Sequence, residues 1–150
     1  MDDTLDKINR FTVIPTAYLL LRRDDKVLLL RRANTGYMDG YYSLVAGHLE
    51  TSEPATAGMV REAKEEADIT ISPTDLKLIH IGHRYNRSRL DLFFETNLWK
   101  GTITNVEPDK CDDLSWHSLN QLPDTTIPYV RLVLDAISNG FMYTEYFEEV

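Results

Sequence analysis

Three glutamates in one short segment, Glu62, Glu65 and Glu66, are the side chains here whose type and spacing most suit chemistry. Steps of three and four residues put them on one side of a helix if the segment is helical. Like charges at that spacing repel and destabilise an isolated helix, and only Lys64 intervenes. Two readings follow. A run of charge is usually a solvated face. A crowd of carboxylate oxygens also suits a hard divalent cation such as Mg2+ or Mn2+. Such an ion clamps phosphate oxygens and activates a water for attack on phosphorus.

The elements that must position these carboxylates are legible in outline. Ser52 is a candidate cap and Pro54 fits a first turn. Thr56, Met59, Val60, Ala63 and Ala67 then recur at helical steps on the side away from the acids. Upstream, residues 11–23 and 27–32 read as a strand pair joined by a polar turn at 24–26. Residues 33–41 are a glycine-containing loop, and 42–46 form a short strand stopped by Gly47. Downstream, strands are expected at 69–71, 76–85 and 90–99, with a hairpin turn at 86–89. Residues 100–112 read as loop and 114–117 as a short strand. Ser118 opens a brief helical turn before Pro123. A last helix starts at Pro128, buries Val130, Val133, Leu134 and Ile137, and stops at Asn139-Gly140. Many strands with two helices predict an α/β or α+β fold, a mixed sheet with helices packed on it.

The 150 residues, 43% of them hydrophobic, suit one globular domain spanning 1–150. There are 24 acids against 16 bases, for a net charge of -8. Long nucleic acid and anionic membranes reward a basic face and are therefore poor partners. A small anionic substrate is workable if a divalent metal supplies the countercharge. Cys111 is the single cysteine, which excludes an internal disulfide and any metal site built on two thiolates. The longest apolar stretch, 13–21, is interrupted by Pro15 and is far short of the roughly 20 residues of a spanning helix. The polar, acidic start is unlike a signal peptide, so a cytoplasmic location is expected.

Read from Gly47, the chain runs G-x5-E-x7-R-E-A-x-E-E-x-D-I, with Gly47, Glu53, Arg61, Glu62, Ala63, Glu65, Glu66, Asp68 and Ile69 at the fixed positions. Over 47–69 this resembles the signature of the Nudix hydrolases. It departs in having Ala63 where the family has a bulky residue and Asp68 where it has glycine. Asp tolerates the left-handed conformation that glycine serves at a helix stop. Weaker similarity to the MutT-like branch extends through LLLRRA (28–33), LVAGHLE (44–50), WKG (99–101), Glu107 and the stretch from Asp113 to Pro123. The resemblance implies a Nudix-type α/β/α sandwich with a mixed central sheet. It also implies Mg2+- or Mn2+-dependent hydrolysis of a nucleoside diphosphate linked to a group X. The MutT-like look favours a nucleoside triphosphate, cut to the monophosphate and pyrophosphate. ADP-ribose, sugar nucleotides and dinucleoside polyphosphates are alternatives, although the chain lacks the SQPWPxPxS motif of NADH hydrolases and the downstream proline of ADP-ribose hydrolases. A nucleotide-binding sensor that does not hydrolyse is the non-enzyme alternative. Such proteins often lose box glutamates, and this chain keeps all four.

Carried over by position, Glu62, Glu65 and Glu66 are metal ligands. One of them, or a loop carboxylate, is the general base. The Ala46 carbonyl is a further ligand, Glu53 lies in or near the metal shell, and Arg61 orients the glutamates through its fork. Glu107 matches a loop carboxylate that reaches the metals, with Asp112 and Asp113 as rivals and a solvated loop acid as the competing reading. Arg32 matches an arginine that contacts substrate phosphate. His48, Asp113 and Tyr41 join it as candidate substrate-binding residues; Tyr37, Tyr42 and Trp116 can also stack on a base or simply pack. Arg84, Arg87 and Arg89 surround an expected turn and either gather phosphates or form a charged hairpin tip, the more ordinary reading. The aromatic tail, 141–150, packs on its own domain or on a second copy in a homodimer.

Overall fold

A computed structural model describes residues 10–149. Its strands are β1 (Ile14–Arg23), β2 (Lys26–Arg32), β3 (Tyr42–Ser43), β4 (Val45–His48), β5 (Lys77–Arg84), β6 (Arg89–Thr96), β7 (Cys111–Ser118) and β8 (Tyr143–Tyr146). Helix α1 is Ala55–Ala67 and α2 is Pro128–Ser138. The sheet is mixed, in the order β3-β2-β1-β6-β5-β8, with β4 also on β1 and β7 also on β2. β1 runs parallel to β6, and β5 parallel to β8; the other strand pairs are antiparallel.

Strand β1 is buried from Thr16 to Leu21 because both faces of the sheet are covered. Ala17, Leu19 and Leu21 pack with Met59, Ala63 and Ala67 of α1. Tyr18 and Leu20 pack with Phe93 of β6 and with Val130, Val133 and Leu134 of α2. One helix therefore lies on each face, giving the three-layer arrangement expected. Among the described residues no helix is long and apolar enough to cross a membrane.

Several local expectations are corrected. Ser52 does not cap α1: the N-cap is Pro54, no side chain caps it, and Ser52 sits two residues earlier at φ 62°. The stop behaves as the sequence suggested, with Asp68 at φ 56° and its N–H on the Lys64 carbonyl. Residues 69–71 are not a strand. Thr70 makes one bridge to Lys100, while Ile69 and Ile71 are core plugs, so their alternation reports burial and not pairing. The expected strand 42–46 is two, because the chain changes neighbours at Leu44, from β2 to β1, and then runs on to His48. The 86–89 turn is a 3-10 turn, Tyr85–Arg87, followed by left-handed Ser88. Between Ser118 and Pro123 the chain forms a turn and no helix. β7 starts at Cys111, since it pairs along the whole of β2. The tail supplies an unexpected strand, β8, on the edge of its own sheet.

Candidate active site

The acidic face is assembled where β4 passes the second half of α1. Gly47 of β4 lies against Glu62: a Cβ at residue 47 would stand 2.0 Å from Glu62 Oε1, so a larger residue there would push this carboxylate aside. Arg61 then gathers the carboxylates. Its Nε and Nη2 donate to the two oxygens of Glu53 at 2.8 and 3.0 Å. Its Nη1 donates to Glu62 Oε1 at 2.8 Å and to Glu65 Oε2 at 3.3 Å. Nη2 also reaches the His48 carbonyl at 3.1 Å, tying the cluster to β4. These hydrogen bonds hold the Glu53 carboxyl down at about 2.

Glu66, beside Glu62, lines the wall of two cavities. The Ala46 N–H donates to its Oε2 at 3.3 Å. Burial, then the neighbouring Glu62 charge, pushes the Glu66 carboxyl well above 4.5, while Arg32 pulls it back. Glu62 is also raised, by burial, against the pull of Arg61. Two carboxylates forced together in this way retain a proton when no cation separates them. In extended chain the N–H and C=O of one residue point the same way, so the Ala46 carbonyl faces the same edge. Among the described residues no three acidic, His or Cys side chains already converge on one point, because Arg61 draws Glu62 and Glu65 aside. The donor set is still all oxygen, anionic and partly shielded, which fits a hard divalent cation.

Two adjoining cavities meet at Glu66 and Arg32. The smaller, 310 Å³, is also lined by Glu107, Thr35, Lys110 and Cys111. Glu107 is exposed on the 105–110 loop, and its charge adds to the upward push on Glu66. That loop is fixed through Thr104, whose N–H bonds the Ala67 carbonyl at the end of α1.

The larger cavity, 730 Å³, has the sheet as its floor and Tyr37, Ile127, Tyr129 and Val130 among its walls. Cross-strand rows pave the floor: Ala46–Tyr18–Phe93, then His48–Thr16–Asp91, then Arg89 beside Arg84. The third row lies four β1 residues from the first, roughly 13 Å. Thr16 Oγ1 is buried in this floor without a partner. His48 lies at the exposed rim, and partial burial with Arg89 and Arg84 nearby lowers its pKa, so it is neutral at pH 7.

Sequence reasoning missed the deep end. Arg84 is buried and not a surface tip. Its fork takes both oxygens of the fully buried Asp91 at 2.7 and 3.0 Å, and Tyr129 donates to Asp91 at 2.6 Å. A fourth partner comes from the tail, Glu148 Oε2, at 3.1 Å from Arg84 Nη1. The available signal was Asp91 itself, a lone acid in the apolar run LDLFF, because a buried charge demands a partner.

The structure thus brings Ala46, Glu53, Arg61, Glu62, Glu65 and Glu66 together, with Arg32, Glu107 and His48 around the cavities. It does not bring in Tyr41 or Asp113. Tyr41 lies in a separate surface hollow with Arg131 and Asp135 of α2. Asp113 is turned to the Tyr42 and Ser115 hydroxyls and lines neither cavity at Glu66. Asp112 is committed to Arg31 at 2.6 Å.

A family model described as NUDIX domain matches residues 13–135. The NAD-capped RNA hydrolase NudC of Pseudomonas entomophila is 31% identical over 114 residues, covering 74% of this chain and 38% of that protein. The chain therefore spans under two fifths of the length of that relative. Among solved structures, a MutT NUDIX hydrolase from Burkholderia pseudomallei superposes with a TM-score of 0.74 at 23% identity, over 83% of this chain and 97% of that one. The MutT protein from Methanosarcina mazei gives 0.71 at 23% identity, over 85% and 94%. At these identities the structural likenesses speak for the fold.

Proposed function

The chain belongs to the NUDIX domain family, on its MutT-like side, and from that premise we propose that it hydrolyses a nucleoside diphosphate linked to X. The favoured substrate is a nucleoside triphosphate, giving the monophosphate and pyrophosphate. The observation that carries this reading is the Arg61-gathered glutamate face, with Glu66 turned into the wall of a 730 Å³ cavity.

Glu62, Glu65, Glu66 and the Ala46 carbonyl would hold Mg2+ or Mn2+, with Glu53 acting through Arg61. Bound there, the ion supplies countercharge for phosphate oxygens and makes a water acidic enough to attack. Glu107, which lines the smaller cavity with Glu66, would serve as general base for the attacking water. Arg32 beside Glu66 neutralises phosphate charge, and the tyrosine-walled larger cavity takes the nucleoside.

The test is phosphate and pyrophosphate release from nucleoside triphosphates, oxidised deoxynucleotides, ADP-ribose, sugar nucleotides and dinucleoside polyphosphates, with Mg2+ or Mn2+. We expect turnover of one class, abolished in Glu66→Gln. Near-normal turnover in that variant would sink the assignment. Thermal shifts by nucleotides without any turnover would point to the sensor instead. A second reading, a diphosphate flanked by two nucleosides, is favoured by Arg87 and Arg89 lining the same cavity beyond the Thr16 row.

A further inference from the structure

The C-terminal tail enters the large cavity at one residue. Glu148 is 8% exposed, and four side chains fix it. Asn86 brackets its backbone, donating to the Glu148 carbonyl and accepting its N–H, both at 2.8 Å. Arg84 holds one carboxylate oxygen at 3.1 Å, with Arg87 at 3.7 Å. The other oxygen accepts the hydroxyl of Tyr37. Behind it, Phe147 packs on Tyr85 and β8 pairs with β5, so the tail is an anchored segment.

Tyr37 belongs to the loop 33–41, and what it holds is Arg32. The Tyr37 carbonyl accepts Arg32 Nε at 2.7 Å, and the Arg32 guanidinium lies 5.2 Å from the Tyr37 ring centre. Thr35 of the same loop accepts Arg32 Nη2 at 3.0 Å. The near end of the loop has its own tie, Asn34 to the Asp109 carbonyl and Lys110 to the Asn34 carbonyl. The middle of the loop reaches across the cavity to the tail through the Tyr37 hydroxyl.

We propose that Glu148 is a positioning residue: its carboxylate latches loop 33–41 to the C-terminal tail, and through Tyr37 it aims Arg32 at the substrate beside Glu66. Its kinetic consequence rests on the hydrolase reading above; the latch itself does not. Nothing in the acidic box is needed to form it, and Arg84 keeps Asp91 as a partner when Glu148 is changed. A chain shortened before Glu148 would therefore fold yet hold Arg32 loosely.

Two variants approach the latch from opposite sides. Tyr37→Phe removes one hydroxyl and leaves the tail's bonds to Arg84, Arg87 and Asn86 intact. Glu148→Gln weakens the pair from the tail side, and Glu149→Gln, on an exposed neighbour, is the control. Hydrogen exchange is measured on wild type and variants without ligand, and steady-state kinetics with the best nucleotide of the panel and Mg2+. Both variants are expected to speed amide exchange across 33–41, with β1 and α1 unchanged. Each should raise KM roughly tenfold, the scale of a hydrogen bond to a charged group, with kcat near wild type. The double variant should be no worse than the worse single one, because both remove one contact. Exchange at 33–41 that is unchanged in both variants overturns the latch. Faster exchange with unchanged or additive KM effects overturns the positioning role. If wild type turns over nothing in the panel, the hydrolase reading fails, and the exchange data alone decide the latch.

Discussion

Arg61 sets the geometry of the acidic face, since three glutamates and a β4 carbonyl share its guanidinium. Lysine keeps the charge but cannot fork between Glu53 and Glu62. Arg61→Lys is expected to weaken metal binding by roughly 10–100-fold, the usual effect of losing a ligand-orienting group. Mn2+ titration followed by electron paramagnetic resonance would read this; an unchanged affinity would mean the glutamates orient themselves. Glu107→Gln should lower kcat by roughly 10²–10⁴-fold with little change in KM, as for removal of a general base. Pre-steady-state assays with saturating Mg2+ would show it. Glu66 gives a pH signature. Its folded carboxyl titrates well above 4.5, so the metal-free native state holds a proton that the unfolded chain has already lost. Stability therefore falls as pH rises from the unfolded value through the folded one. In EDTA, melting of wild type relative to Glu66→Gln should show this decline; a difference independent of pH would contradict it. The glutamate cluster itself was readable from spacing. Arg84 was not, because its partner Glu148 lies in a distant segment and only the fold brings them together.

At the scale of elements, the contact between β4 and α1 is the tightest constraint on the site. Gly47→Ala places a methyl group where the Glu62 carboxylate lies. That carboxylate is the movable end of its side chain, so it swings away from Arg61 at little cost in stability, and the acidic face is disturbed instead. Mn2+ titration should show weaker binding with an unchanged denaturation midpoint; a lowered midpoint would mean that Glu62 cannot move. Helix α1 was legible because its apolar positions keep a helical period and Asp68 supplies the stop. The hairpin of β5 and β6 was legible for the same local reason. β8 was not. Its four residues carry little apolar content of their own, and its pairing with β5 is parallel and decided by tertiary contact. The split at Leu44 was equally invisible, since a change of strand partner leaves no mark on local hydrophobicity.

For the whole molecule, the sandwich leaves β8 as the outer edge of the sheet, and removing it uncovers β5. An exposed strand edge recruits other chains. Deleting residues 141–150 should therefore raise the mass seen by light scattering as concentration increases. An unchanged monomer mass would show that the β5 edge protects itself; a fall from dimer to monomer would assign the tail to an interface. The sheet has one further property. Its central pair joins Ile14 of β1 to Arg89 of β6, in parallel, with the glutamate helix lying between them in the chain. During synthesis β1 and α1 are made before β6, so the carboxylates exist before their platform can close. Long-range pairing of this kind is slow. The closing of β6 on β1 is therefore a late step, and the cavity floor beneath the carboxylates takes shape only when residues 89–96 are in place.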